Sequence, residues 1–163
     1  MPVSINVQNA SGNNSVPAAP EFRSWVRAVF ADRLKGEVGI RIVGEEEARA
    51  LNKRYRSSDY ATNVLAFPCD EDLGVAGLEA PIGDIVICAA VVEREAGEQD
   101  KDVRAHWAHL TIHGALHLDG YDHVTDAQAE EMEARETLLL AHFGFPDPWG
   151  SLAPQARALH HNR

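Results

Sequence analysis

The sequence has few of the features that mark secreted or membrane-bound proteins. Only two of its 163 residues are cysteines. Cys69 and Cys88 lie far apart in apolar, strand-like runs, which excludes a disulfide framework and a CxxC motif and favours buried, reduced thiols. The stretch 1–15 lacks the basic and apolar segments of a signal peptide, and no apolar run is long enough to span a bilayer. The sequence therefore predicts a cytoplasmic protein with no membrane partner.

Positive charge is also scarce. The chain has 15 lysines and arginines against 25 acidic residues, and its formal net charge is -10. Because phosphate neutralisation needs clustered cations, this balance excludes a protein that coats nucleic acid through general electrostatics, and no DNA binding is expected. Any RNA contact must be local. One candidate patch, which could instead be a solvated helix face, groups four cations within eight residues: Arg49, Lys53, Arg54 and Arg56.

The length and the composition are those of one globular domain spanning residues 1–163, with 45% hydrophobic and 25% charged residues. Alternating and helical periodicities follow one another without an internal repeat, and the tail from about residue 146 is irregular. We therefore predict a single-domain α/β (α+β) protein with a small mixed β-sheet and about five helices. The predicted strands cover 3–7, 38–42, 64–67 and 83–88; the predicted helices cover 20–35, 48–55, 89–98, 101–118 and 125–143; and 9–15 and 68–81 are predicted loops.

The most informative segment contains three histidines. His113 and His117 are four residues apart in a predicted long helix, which places both imidazoles on one face, one turn apart. Two ring nitrogens there can converge on a metal at about 2.0 to 2.1 Å. Gly120 permits a left-handed turn that ends the helix and brings His123 to the open side of the pair. We predict one zinc-type divalent ion on these three ligands, with a fourth position left for water, as in catalytic sites.

Other polar residues of this region have alternative interpretations. His106 and His109 continue the same helical stripe, so the histidines could be unrelated to one another; for these two we favour hydrogen-bonded structural roles. Asp119 and Asp122 are expected to orient the metal-binding rings by accepting hydrogen bonds.

Zinc peptidase chemistry is disfavoured by one missing side chain. In zinc peptidases a glutamate follows the first histidine and acts as the general base, whereas Gly114 occupies that position here. A metal-dependent hydrolase of another substrate remains an alternative.

The run from His113 to His123 resembles the YbeY family of bacterial endoribonucleases that mature ribosomal RNA. The family hallmark, His-Gly-x-Leu-His-x-x-Gly-Tyr-Asp-His, is matched in full. Where family members often carry Asp-Val-Leu-Ser-Phe, this chain has Asn at position 63 and Ala at position 66. The resemblance covers roughly residues 48–148 and includes Leu51-Asn52, Tyr55-Arg56, Asp59, Thr62 to Phe67, and Gly83 to Ile87.

The resemblance implies a mixed sheet packed with helices, a zinc-type ion on the three histidines, and a cavity-lining arginine at Arg56. It further implies a single-strand-specific endoribonuclease that processes the 3′ end of small-subunit ribosomal RNA and acts in ribosome quality control. The implied partners are single-stranded RNA, the small-subunit ribosomal RNA, the ribosome, small-subunit ribosomal proteins and an assembly GTPase. The predicted catalytic residues are Arg56, His113, His117 and His123.

A divalent ion would polarise a phosphoryl oxygen or lower the pKa of its water to about 7. Arg56 could bind the phosphate through a bidentate fork, or it could be a surface cation beside Asp59. No general base stands out: a hydroxide held by the ion, Asp122 and the RNA 2′-hydroxyl are all candidates. A non-catalytic ribosome assembly factor, in which the ion only fixes the fold, is the main alternative function.

Overall fold

The computed structural model describes residues 3–33, 35–69 and 81–149. In these residues it contains four strands and five helices, as predicted. Each strand lies within two residues of its predicted bounds. The elements follow one another as β1 (Ser4–Asn9), α1 (Ala19–Val29), β2 (Glu37–Val43), α2 (Glu45–Arg56), β3 (Val64–Pro68), β4 (Pro81–Cys88), α3 (Ala89–Glu98), α4 (Val103–Leu118) and α5 (Asp126–His142).

The four strands form one mixed sheet in the order β1-β2-β4-β3. Strands β1, β2 and β4 are parallel, and β3 pairs antiparallel with β4. Strand β3 therefore lies at an edge of the sheet, where α4 packs against it. This arrangement confirms the predicted fold class.

The two faces of the sheet are covered unequally. Helices α1, α4 and α5 contribute to the larger core, in which Phe22, Trp25 and Trp107 are almost fully buried. Burial of such large rings is the main stabilising contribution of this layer. On the other face, α2 and the start of α3 cover a smaller cluster around Val43 and Leu65. Part of this second face therefore stays open.

Helix α4 lies in the centre of the molecule. It is buried on most of its circumference, including Ile112, Ala115 and Leu116. A helix that is apolar nearly all round belongs to the interior. Gly114 faces the sheet, where a Cβ would lie 3.0 Å from Ile85 and 3.3 Å from Val64. The small residue therefore lets the helix approach β3 and β4 closely.

Two expectations are corrected. The first helix ends at Val29 instead of near Gly36, because Phe30 leaves the helical conformation (φ -102°, ψ 29°) and its carbonyl accepts a turn hydrogen bond from Arg33. Cys69 is exposed just beyond β3, whereas Cys88 is buried as predicted, and the two do not form a disulfide.

Other expectations fall partly on residues outside the described ranges. The predicted loop at 68–81 and the irregular tail lie mostly outside the described residues, and the domain span 1–163 stays a prediction. None of the described helices has the length and apolar character to cross a bilayer.

Candidate metal centre

The end of α4 brings the three predicted ligands together. The helix begins at Asp102, whose carboxylate accepts from the backbone N–H of Ala105, and it ends at Leu118. Gly120 then adopts a left-handed conformation (φ 101°) that turns the chain back. As a result the His123 ring centroid lies 4.9 Å from that of His117 and 5.8 Å from that of His113. The predicted geometry, two helix histidines and a third after a glycine turn, is present.

The three rings offer a donor set that fits a zinc-type ion. One ligand atom from each of His113, His117 and His123 lies within 4.8 Å of the other two. The Nε2 atoms of His113 and His117 are 3.2 Å apart. An ion that holds two nitrogens at about 2.0 to 2.1 Å in tetrahedral geometry separates them by about 3.3 Å. The spacing of this pair therefore already matches shared coordination, although the identity of the metal is not fixed by it.

A buried glutamate that sequence analysis did not identify holds the first ligand. The carboxylate of Glu136, on α5, accepts a hydrogen bond from Nδ1 of His113 at 2.6 Å. Its other oxygen lies 3.0 Å from Nε2 of His109 and accepts from Nε1 of Trp149 at 3.2 Å. With Nδ1 engaged, Nε2 of His113 keeps its lone pair for an ion. Glu136 is therefore the positioning carboxylate of the site.

The electrostatics of Glu136 suit this role. Burial opposes its ionisation, but the neighbouring His109 and His113 outweigh that effect and hold the pKa of the carboxyl well below its usual range. An ionised acceptor is the form that fixes a ligand histidine most firmly. Glu136 lies four residues after Met132 and three before Leu139, so it falls on the buried face of α5, and this spacing was the available sequence signal.

The orienting role predicted for Asp119 and Asp122 stays a prediction, and each carboxylate makes a different contact in the structure. Asp119 faces the guanidinium of Arg33 at 3.5 Å. Asp122 accepts a hydrogen bond from the backbone N–H of His123 at 2.7 Å, so it shapes the turn and does not hold the ring through that bond.

The remaining ligands are kept in the neutral form. Burial, together with His113 and His123, lowers the pKa of His117 to about 4. Burial and His113 also lower the pKa of His123. Neutral imidazole is the form that binds metal, so these rings are ready for an ion at neutral pH without first losing a proton.

His106 and His109 have the structural roles that were predicted. Nε2 of His106 lies 3.0 Å from the buried carboxylate of Glu95, to which the amide of Asn63 also donates at 3.0 Å. Burial lowers the pKa of His106 although Glu95 favours its charged form. The amide at position 63 suits this place because an aspartate there would set a second carboxylate against Glu95.

The centre opens into a cavity of about 550 Å³ between α4, β3 and the end of α2. Arg56, the last residue of α2, lines this cavity and is exposed. The alternative role beside Asp59 is not supported, since that carboxylate pairs with Arg49 at 2.7 and 3.1 Å. The structure thus places all four predicted catalytic residues around one cavity.

The chain is similar to known proteins over most of its length. The sequence profile of the family described as Endoribonuclease YbeY matches residues 6–144. The chain belongs to the YbeY family. It is 50% identical to Endoribonuclease YbeY of Stutzerimonas stutzeri over 155 residues, covering 94% of this chain and 95% of the relative. It is 53% identical to Endoribonuclease YbeY of Halorhodospira halophila over 137 residues, covering 83% and 89%.

A solved structure shows the same architecture. The solution structure of TM1509 from Thermotoga maritima is similar with a TM-score of 0.59 at 25% identity, covering 98% of this chain and 95% of that one. Arg56, the three histidines and Glu136 all lie within the residues that match the YbeY profile. Trp149 lies beyond the matched residues. Its Nε1 donates to the same Glu136 oxygen that contacts His109.

Proposed function

We propose that this chain is a metal-dependent endoribonuclease that cuts single-stranded RNA and matures the 3′ end of small-subunit ribosomal RNA, with a further role in ribosome quality control. Relatives that share half of its residues carry the name Endoribonuclease YbeY. The observation that carries the proposal is the convergence of three histidines and one arginine on a single cavity.

The residues of the cavity would have separate chemical roles. Zinc, the proposed ion, would supply Lewis-acid chemistry that polarises a phosphoryl oxygen and lowers the pKa of a water molecule. His113, His117 and His123 would hold it, and Glu136 fixes the orientation of the first ring. Arg56 donates to the non-bridging phosphate oxygens and offsets the charge that develops on them.

The shape of the cavity favours single strands. Its volume of about 550 Å³ is that of a small-molecule site and accommodates splayed nucleotides. Base edges of duplex RNA are hard to reach, whereas unstacked nucleotides present both base and phosphate. Asp122 lines the same cavity and is a candidate proton acceptor, beside the 2′-hydroxyl of the RNA itself.

The partners that the family resemblance implies are consistent with the charge of the chain. With a formal net charge of -10, long-range attraction does not concentrate the protein on RNA. Docking to the small subunit, through ribosomal proteins or an assembly GTPase, would supply that proximity and would place the protein in the cytoplasm. The alternative is an assembly factor in which the ion only stabilises the fold.

A cleavage assay with metal analysis tests the proposal. RNA carrying the small-subunit 3′ terminus is incubated with wild type, His117→Ala and Arg56→Ala, and zinc is measured on each sample. We expect His117→Ala to lose both zinc and cleavage. Arg56→Ala should keep zinc but cut about 100-fold more slowly, since loss of one preorganised donor has about that cost. Arg49→Ala, an exposed arginine of α2 paired with Asp59, is the matched control.

Three outcomes would contradict the proposal. Unchanged cutting by His117→Ala would indicate a contaminating nuclease. No cutting by zinc-loaded wild type, together with a lower melting temperature of His117→Ala, would favour the non-catalytic assembly factor. Cleavage of casein but not RNA, in a parallel assay, would favour a hydrolase of another substrate.

A further inference from the structure

A second cavity lies on the opposite face of the sheet from the larger core, and we call it the far cleft. It has a volume of about 510 Å³ and is walled by α2. Its floor follows the strand register: Asn6 pairs with Gly39, Gly39 with Asp84, and Asp84 with Phe67. These four residues form one row across the sheet. Gln8 of β1 extends the polar part of the lining.

The far cleft exists because one residue of this row has no side chain. A Cβ at Gly39 would lie only 2.3 Å from Oδ1 of Asp84, so the carboxylate occupies the space that a side chain would fill. Asp84 is exposed, and its carboxylate forms no hydrogen bond or ion pair with any of the described residues. By contrast, the guanidinium of Arg41 in the same cleft is bound by Glu47 at 2.7 and 2.9 Å.

An aromatic wall joins the far cleft to the metal cavity. The rings of Tyr55 and Phe67 meet edge to face with centroids 5.1 Å apart, and Tyr55 is 55% exposed. Both residues line the two cavities, on either side of the edge strand β3. Arg56, the proposed phosphate ligand, directly follows Tyr55 in α2. One extended strand can therefore reach both cavities by crossing this edge.

We propose that the far cleft binds a guanine base of the RNA strand that is cut in the metal cavity. This inference rests on the proposed function. An ionised carboxylate only accepts hydrogen bonds, through two oxygens side by side. Guanine is the RNA base whose Watson–Crick edge presents two adjacent donors, N1–H and the 2-amino group, and these match the Asp84 carboxylate. The amides of Asn6 and Gln8 supply donors for the remaining acceptors of the base.

Two further features favour a base over other ligands. Exposed aromatic rings stack nucleobases, and Tyr55, which lines the cleft beside Arg54, is 55% exposed. The negative charge of Asp84 repels phosphate, while the cation-rich end of α2 attracts it. The strand is therefore oriented with a base in the far cleft and its backbone toward Arg56.

Binding of nucleosides to the full chain tests the inference directly. Guanosine, inosine and adenosine lack phosphate, so they do not report on Arg56 or the metal ligands. Titration followed by amide chemical shifts should show guanosine binding about tenfold more tightly than adenosine, with the shifts at Asn6, Gly39 and Asp84. Inosine, which keeps N1–H but lacks the 2-amino group, should bind with intermediate affinity. Equal affinities, or shifts confined to the histidine cavity, would overturn the inference.

Two variants test whether Asp84 and Gly39 determine the preference for guanosine. Asp84→Asn replaces one acceptor oxygen by a donor and should remove the preference for guanosine. Gly39→Ala places a methyl group against the carboxylate and should weaken guanosine binding about as much without changing the charge. Asp59→Asn, which removes an exposed carboxylate outside both cavities, should bind like wild type. Retention of the preference in both Asp84→Asn and a folded Gly39→Ala would overturn the inference.

Cleavage separates this inference from the proposed function. On RNA with a single guanosine at varied distance from the cut, Asp84→Asn should raise KM about tenfold at one distance only and leave kcat and zinc content unchanged. Cleavage with no such dependence would overturn the guanine site and leave the nuclease standing. Guanosine-selective binding in a chain that cuts no RNA would instead contradict the nuclease proposal.

Discussion

One stripe of α4 carries four histidines that divide into two kinds. His106 and His109, in the first half of the helix, are 3% and 6% exposed and each contacts a buried carboxylate through Nε2. His113 and His117, in the second half, direct their Nε2 atoms at each other across 3.2 Å. The residue type is the same in both halves, although the spacing is three residues in the first pair and four in the second. What differs is which ring nitrogen is already occupied by the protein.

Glu136 contacts one histidine of each kind. One of its oxygens contacts Nε2 of His109 and the other contacts Nδ1 of His113. The first contact occupies the nitrogen that an ion would need, whereas the second leaves that nitrogen available and fixes its direction. A single carboxylate thus gives one histidine a structural role and leaves its neighbour available as a candidate ligand.

The largest effect should come from truncating one histidine of each kind. His113→Ala removes a ligand, so bound zinc should fall from one per chain to nearly none. His106→Ala should keep zinc but lower the free energy of unfolding by about 2 to 4 kcal/mol, because Glu95 keeps its buried charge without its histidine partner. Metal analysis and urea unfolding measure the two effects. Loss of zinc in His106→Ala would show that the division along the helix is wrong.

A smaller effect should follow from neutralising the shared carboxylate. Glu136→Gln keeps the size of the side chain but weakens the hydrogen bond to His113, and zinc affinity should fall about 10- to 100-fold. Competition with a chelator of known affinity measures the change. Glu133→Gln is the matched control, since this glutamate is 8% exposed on the same helix and is not among the groups that contact His109 or His113. Equal losses in the two variants would mean that α5 acts only through packing.

The ligand set was predictable because it is local. His113, His117 and His123 lie within eleven residues, and helix geometry with one turning glycine determines their relative positions. Asp119 was chosen for the same closeness in sequence, but the structure shows its contact with Arg33, which lies far away along the chain. Glu136 is 23 residues from His113, and its contact depends on how α5 packs against α4. Periodicity carries no information on such packing.

The fold, like the site, was predictable only where the signal is local in sequence. Alternating residues predicted the strands, because each strand shows its own burial pattern. The sheet order β1-β2-β4-β3 and the row that joins Asn6, Gly39 and Asp84 depend on register between distant strands. Each of these three residues is unremarkable by itself in the sequence. The far cleft therefore becomes visible only once the strands are aligned.

The smallest expected effect concerns Glu95, the buried carboxylate that contacts the structural histidine His106. Asn63→Asp introduces the residue that many family members carry, and here it replaces an amide that donates to Glu95 at 3.0 Å. Two carboxylates at this distance repel each other, so the free energy of unfolding at pH 7 should fall by about 1 kcal/mol, while zinc content stays unchanged. Asn63→Ala, which removes the amide without adding charge, separates repulsion from the lost hydrogen bond. Urea unfolding at pH 7 and at pH 5 provides the measurement: the deficit of Asn63→Asp relative to Asn63→Ala should shrink at pH 5, where a proton shared between the two carboxylates relieves the repulsion. A deficit equal in both variants at both pH values would show that only the hydrogen bond matters.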